Sequence, residues 1–144
     1  MAYPEMMMQD GVMVEAAPVC EDSWLHFNSS CYWFSSTRLD FEPAMDSCGE
    51  KGAYLADILT ERENQFIKNV LMVVNPHDGT DYWAGAQPAS GHWDSGAPMN
   101  FNDFFDGADT SLPYLHMNAM MDFAWDTKDD KTDRDNRYIC KKPL

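Results

Sequence analysis

No run of about eighteen apolar residues occurs in this 144-residue chain, so the sequence offers no membrane-spanning helix. The first twenty residues lack the pattern of a signal peptide. Met6, Met7 and Met8 are apolar, but Gln9 and Asp10 end the run and no Lys or Arg precedes it. If the protein is secreted, this is expected to be a mature or recombinant form. Basic residues are scarce: 10 Lys and Arg face 24 Asp and Glu, for a net charge of −14. That balance argues against nucleic acid, which is held largely by cations on phosphates, and against an anionic membrane surface. No two of the four cysteines stand at C-x-x-C spacing, which argues against a zinc or dithiol redox centre. His26, His77, His92 and His116 are isolated from any nucleophile or zinc motif, and no Gly-rich phosphate loop is present. Catalysis is not expected.

What is present is a globular composition, 44% hydrophobic and 13% aromatic, in a length that suits one domain. Cys20, Cys31, Cys48 and Cys140 allow three disulfide pairings. We favour Cys20–Cys31, closing a short aromatic hairpin, and Cys48–Cys140, tying an early helix to the last strand. Such bonds imply an oxidising, extracellular setting. Residues 1–19 are Met-rich without periodicity and are expected to form a flexible arm. Exposed Met6, Met7, Met8 and Met13 would suit packing against a second copy, a homodimer through the arm.

Residues 20–144 form the expected domain. Trp24-Leu25-His26-Phe27 and Cys31-Tyr32-Trp33-Phe34 read as strands joined by Asn28-Ser29-Ser30, an N-x-S glycosylation sequon. Asp40 can cap a helix in which Phe41, Ala44, Met45 and Cys48 share one face. Thr60-Glu61-Arg62-Glu63 is a capping box for a second helix, with Phe66, Ile67, Val70, Leu71 and Val74 as its apolar stripe and Asn75-Pro76 as its stop. Tyr82 to Ala86, Tyr114 to Met117, Phe123 to Trp125 and Arg137 to Cys140 read as short strands, with a long turn-rich loop between Pro88 and Pro113. Met117, Met120 and Met121 are expected to fill gaps in the core. The order is that of an α+β fold, with two helices packed on small antiparallel sheets and a long loop region.

In order and spacing, these segments resemble the C-type lectin-like domains, and among them the perlucin-like invertebrate lectins of the long form. The segments are Cys31-Tyr32-Trp33-Phe34, Ala44 to Cys48, Gly52 to Ala56, Tyr82 to Ala86, Gly91-His92-Trp93, Gly96-Ala97-Pro98, Trp125-Asp126 and Tyr138-Ile139-Cys140. The resemblance spans residues 20 to 142. It implies the disulfide pairing favoured above, a secreted protein, and glycans or glycoproteins as partners.

The departures bear on function. The family's inner disulfide is missing, because its cysteines would fall near Tyr114 and Thr132. Its sugar-selecting E-P-N or Q-P-D triplet falls at Ala108-Asp109-Thr110, without the central proline and on a shortened loop. The W-N-D motif reads Trp125-Asp126-Thr127, and Leu112-Pro113 stand where an acid is usual. Ca²⁺ needs six to eight oxygens. The only evident carboxylates left for it are Asp109 and Asp126, so calcium is the one cofactor the resemblance allows, at a degenerate site. The expected carbohydrate contacts are Phe105, Asp106, Asp109, Thr110, His116 and Asp126, offering a ring to a sugar's apolar face and carboxylates to its hydroxyls. Phe104 and Trp125 are expected in the core. Asp122, Asp126, Asp129, Asp130, Asp133 and Asp135 crowd one interval, and this motivates the alternative of a protein- or mineral-binding matrix domain.

Overall fold

The computed structural model describes the backbone of residues 6–9 and 12–15, and residues 20–74, 78–129 and 136–144. Strands β1 (Met6–Gln9) and β2 (Val12–Glu15) pair antiparallel, Met8 opposite Met13, where the sequence reading expected no regular element. The rest of the arm lies outside the described residues.

In the domain, β3 (Leu25–Phe27) and β4 (Ser30–Phe34) make the aromatic hairpin. Helix α1 (Phe41–Glu50), β5 (Tyr54–Leu55) and α2 (Glu61–Val74) follow. Then come β6 (Tyr82–Trp83), the small hairpin of β7 (Ala86–Gln87) and β8 (His92–Trp93), and the last three strands, β9 (Tyr114–Asn118), β10 (Ala124–Lys128) and β11 (Arg137–Pro143). The main sheet runs β10-β9-β6-β11-β4-β3, with β5 also paired to β11. Its β6–β11 contact is parallel, and its other strand pairs among the described residues are antiparallel. Two helices packed on such sheets give the expected α+β fold.

Both faces of the central strands are buried, and residue alternation sorts them. Tyr82 and Ile139 join Ile67, Leu71, Leu115, Met117 and Trp125 on the α2 side. Trp83, Tyr138 and Cys140 join Phe41, Ala44 and Cys48 on the α1 side. Both favoured disulfides, Cys20–Cys31 and Cys48–Cys140, are formed. Gly85 lets the chain leave β6 at close quarters, since a Cβ there would collide with the Leu55 carbonyl.

Several local expectations are corrected. Asp40 precedes α1 in extended conformation, but its side chain makes no capping bond. At α2 the Thr60 hydroxyl accepts the Glu63 N–H at 3.1 Å, as a capping box requires. The Glu63 carboxylate does not complete the box. Its Oε1 accepts the Leu59 N–H at 2.8 Å, one residue before the cap, and its Oε2 meets Tyr32 and Lys141. Val74 ends the helix exposed, not buried as the stripe predicts. Met120 and Met121 also sit outside the core. They form the tip of the β9–β10 connection, with Met120 90% exposed. Thr60→Ala should therefore cost only about 1 kcal/mol, the value of one cap bond. Thermal unfolding checks this, and a loss above about 3 kcal/mol would mean that Thr60 does more than cap.

Candidate functional site

Trp125 on β10 anchors the long loop. Its ring is fully buried and meets Trp93, Phe101 and Phe104 edge-on at centroid distances of 5.4, 5.7 and 5.5 Å. Edge-to-face contact is the favoured geometry for aromatic quadrupoles. The indole N–H donates to Asn64 Oδ1 at 3.0 Å, tying the loop's anchor to α2. The backbone of Trp125 donates to Asp103 O and accepts from Phe105 N–H, at 2.9 and 3.0 Å. The core roles expected of Phe104 and Trp125 follow from these contacts.

Beyond that anchor the chain turns outward at Asp106-Gly107. Asp106, Asp109 and Thr110 are exposed and Phe105 is half-buried. The loop is closed by the Thr127 hydroxyl, which donates to the Asp109 carbonyl at 2.7 Å. The Asp109 carboxylate turns back on its own loop, accepting the Ser111 hydroxyl at 2.6 Å and its N–H at 3.0 Å. These bonds hold the Asp109 carboxyl below the usual carboxylate range. Four expected contacts, Phe105, Asp106, Asp109 and Thr110, thus share one short rim.

The other two lie elsewhere. His116 pairs with Asp126 across β9 and β10, on the face that α1 covers. His116, expected to touch ligand, is 1% exposed. Neighbouring strand residues point to opposite faces, so the alternation that sends Leu115 and Met117 into one core sends His116 into the other side. Its Nδ1 lies 2.9 Å from Asp81 Oδ2, and its Nε2 lies 3.7 Å from Asp126 Oδ2. Neither ring nitrogen has an aligned hydrogen-bond partner among the described residues. Asp81 also accepts the Ala119 N–H at 2.8 Å. Asp126 accepts the Asn118 amide at 3.2 Å and the Thr127 N–H at 2.8 Å. No motif in the sequence flags Asp81, whose role depends on a strand pairing distant in sequence.

The family's calcium cage needs its oxygens gathered in one place. Here Asp109 is tied to the Thr127 side of β10 and Asp126 faces the other side. Both carboxylates and the Thr127 hydroxyl are already engaged within the protein. Among the described residues, no group of three or more His, Cys, Asp or Glu is placed to hold a metal ion. Among the described residues, the donors do not fit the cage. Of the acidic run, residues 130–135 lie outside the described residues.

The family model of the Lectin C-type domain matches residues 37–142. The chain belongs to the C-type lectin domain family. Members of this family are generally binding proteins rather than enzymes, and many bind calcium. The chain is 29% identical over 140 residues to C-type lectin domain family 4 member M of Symphalangus syndactylus, covering 87% of this chain and 30% of that protein. It spans less than half of that relative, and less than half of similar C-type lectins from mouse. Its fold matches a calcium-independent type II antifreeze protein with a TM-score of 0.75, at 21% identity over 89% of this chain and 97% of that one. It also matches the mouse scavenger receptor C-type lectin carbohydrate-recognition domain with a TM-score of 0.70, at 22% identity over 86% and 96%. No helix among the described residues is long and apolar enough to cross a membrane.

Proposed function

We propose that this C-type lectin domain is a secreted lectin of the perlucin-like kind. It binds glycans at the rim of Phe105, Asp106, Asp109 and Thr110, either without calcium or with a cage rebuilt from other residues. The observation that carries this reading is the inward engagement of Asp109, Asp126 and Thr127, which takes up the oxygens a calcium-bridged sugar would share. On this rim Phe105 offers part of a ring to the apolar face of a pyranose, and Asp106 and the Asp109 Oδ2 that Ser111 does not engage accept its hydroxyl hydrogens. On the opposite face of β10, Asp126 fastens that strand to β9 by accepting the Asn118 amide at 3.2 Å. Pairing of two copies through the Met-rich arm would raise avidity for repeated glycans.

A glycan array run in Ca²⁺ and again in EDTA tests the reading. Binding that survives EDTA, and falls roughly tenfold, about 1.4 kcal/mol, in Phe105→Ala, is the expected result. Because Ser111 keeps Asp109 ionised below the usual range, binding should also persist to mildly acidic pH. An array blank in both buffers would remove the glycan reading. It would leave the second one, a protein- or mineral-binding domain, which the net charge of −14 and the crowding of Asp residues between 122 and 135 favour.

A further inference from the structure

The chain contains one N-x-S/T sequon, Asn28-Ser29-Ser30. It forms the turn of the β3–β4 hairpin, where Phe27 pairs with Ser30 and two residues connect them. Asn28 sits at φ 53°, in the left-handed region that asparagine enters more readily than most residues. Turn geometry therefore accounts for an asparagine here, but not for the serine two places on. An asparagine serving the turn alone commonly bonds its carboxamide to nearby backbone. Asn28 is exposed, and only its carbonyl oxygen is engaged, 2.6 Å from His26 Nε2; its carboxamide has no partner among the described residues.

We propose that Asn28 is an N-glycosylation site. In the transfer, Asn28 Nδ2 bonds to the anomeric carbon of a lipid-pyrophosphate-linked oligosaccharide. The bond from that carbon to the pyrophosphate oxygen breaks, the lipid pyrophosphate leaves with the electron pair, and the amide gives up one proton. The compartment fits, because the lumen that oxidises Cys20–Cys31 and Cys48–Cys140 is where eukaryotic secretory proteins receive such sugars.

The fold also sets the timing. Ser30, whose hydroxyl a sequon-reading transferase must reach, is 8% exposed and paired with Pro143. Leu144 N–H closes over the turn by donating to Ser29 O at 2.8 Å. The folded domain hides the serine, so transfer precedes docking of the last strand. The Cys20–Cys31 bridge encloses the sequon in a loop of separation 11 and competes with transfer for the same extended segment. Once attached, the oligosaccharide projects from β3, one edge of the sheet, while the rim around Asp109 abuts β10, the other edge. The modification leaves the proposed ligand site open.

The inference rests on passage through the secretory route, so the test supplies that passage. The full chain is expressed behind a cleavable heterologous leader in cultured animal cells, and the secreted product is weighed before and after peptide-N-glycosidase treatment. The expected result is an excess mass of one oligosaccharide. The enzyme removes it and leaves Asp at position 28, located by peptide mapping, and the excess is absent from Asn28→Gln. Chain refolded from bacteria should accept no sugar from the isolated transferase and lipid-linked donor while its disulfides are intact. A secreted product at bare polypeptide mass would overturn the site. Because the leader is provided, that outcome would not bear on where the natural protein resides, nor on whether the rim binds glycans.

Discussion

Replacing Lys141 by Met is expected to lower the unfolding free energy by about 3–5 kcal/mol, the cost of stranding buried charge. Lys141 lies on β11 with only 5% of its surface exposed. Its ammonium stands 2.5 Å from Asp57 Oδ1 and 2.6 Å from Glu63 Oε2. The remaining carboxylate oxygens are also engaged, Asp57 Oδ2 by the Ser95 hydroxyl at 2.6 Å and Glu63 Oε1 by the Leu59 N–H at 2.8 Å. Tyr32 donates to Glu63 from β4. One cation thus joins β11, β4, the start of α2 and the long loop. Without it, Asp57 and Glu63, 3% and 6% exposed, face each other uncompensated. Burial pulls the Lys141 pKa down, but hydrogen bonds and charge from Asp57 and Glu63 outweigh it and leave the pKa raised. A raised lysine pKa contributes stability that is full below the unfolded value and lost only as pH climbs through the folded one. The contribution therefore holds through neutral pH and fades above the ordinary lysine range. Urea unfolding measures the loss. Adding Asp57→Asn and Glu63→Gln to Lys141→Met should recover most of it, and a single-mutant cost under about 1 kcal/mol would contradict the network.

The second large effect concerns Cys48–Cys140. The bond joins residues 92 apart, so on the chain-entropy account its loss costs about 4–5 kcal/mol. Cys20–Cys31, 11 apart, should cost about 3 kcal/mol or less. Cys48 and Cys140 are both fully buried between α1 and β11, so paired alanines avoid placing new hydroxyls in that apolar cluster. Cys48→Ala with Cys140→Ala should lower Tm by roughly 10–20 °C, and more than the Cys20, Cys31 pair does. A reversed order would mean that local strain or residual structure, and not loop length, governs the two bonds.

These two predictions mark what could and could not be read in the chain. The cysteine framework, α2 with its Thr60 cap, and the strands around Trp83, Trp125 and Cys140 are written in spacing and period. The expected stripe of α2 is buried at Ile67 and Leu71 and exposed at Val74, in the helix's last turn. Lys141-Lys142-Pro143 looks like a solvated chain end. Its first lysine is buried only because Asp57 and Glu63, more than seventy residues upstream, meet it. His116 was misplaced for the same reason: its face is fixed by strand register, which no short window displays. Met120 and Met121 resemble core filler by composition, but they ride on a tight connection whose next residues, Asp122 and Phe123, both take positive φ. The β1–β2 hairpin had a local signal in Asp10-Gly11, a favoured two-residue turn pair, masked by the continuous methionine run.

The central claim is that the rim around Asp109 works without the family's ion cage, and calorimetric titration of the intact chain with Ca²⁺ tests it most directly. The account predicts no stoichiometric Ca²⁺ site that depends on Asp109 and Asp126, so the heats of titration are the same in Asp109→Asn and Asp126→Asn as in the parent chain. A single site of one Ca²⁺ per chain, abolished by Asp126→Asn and by Asp109→Asn alike, would contradict it.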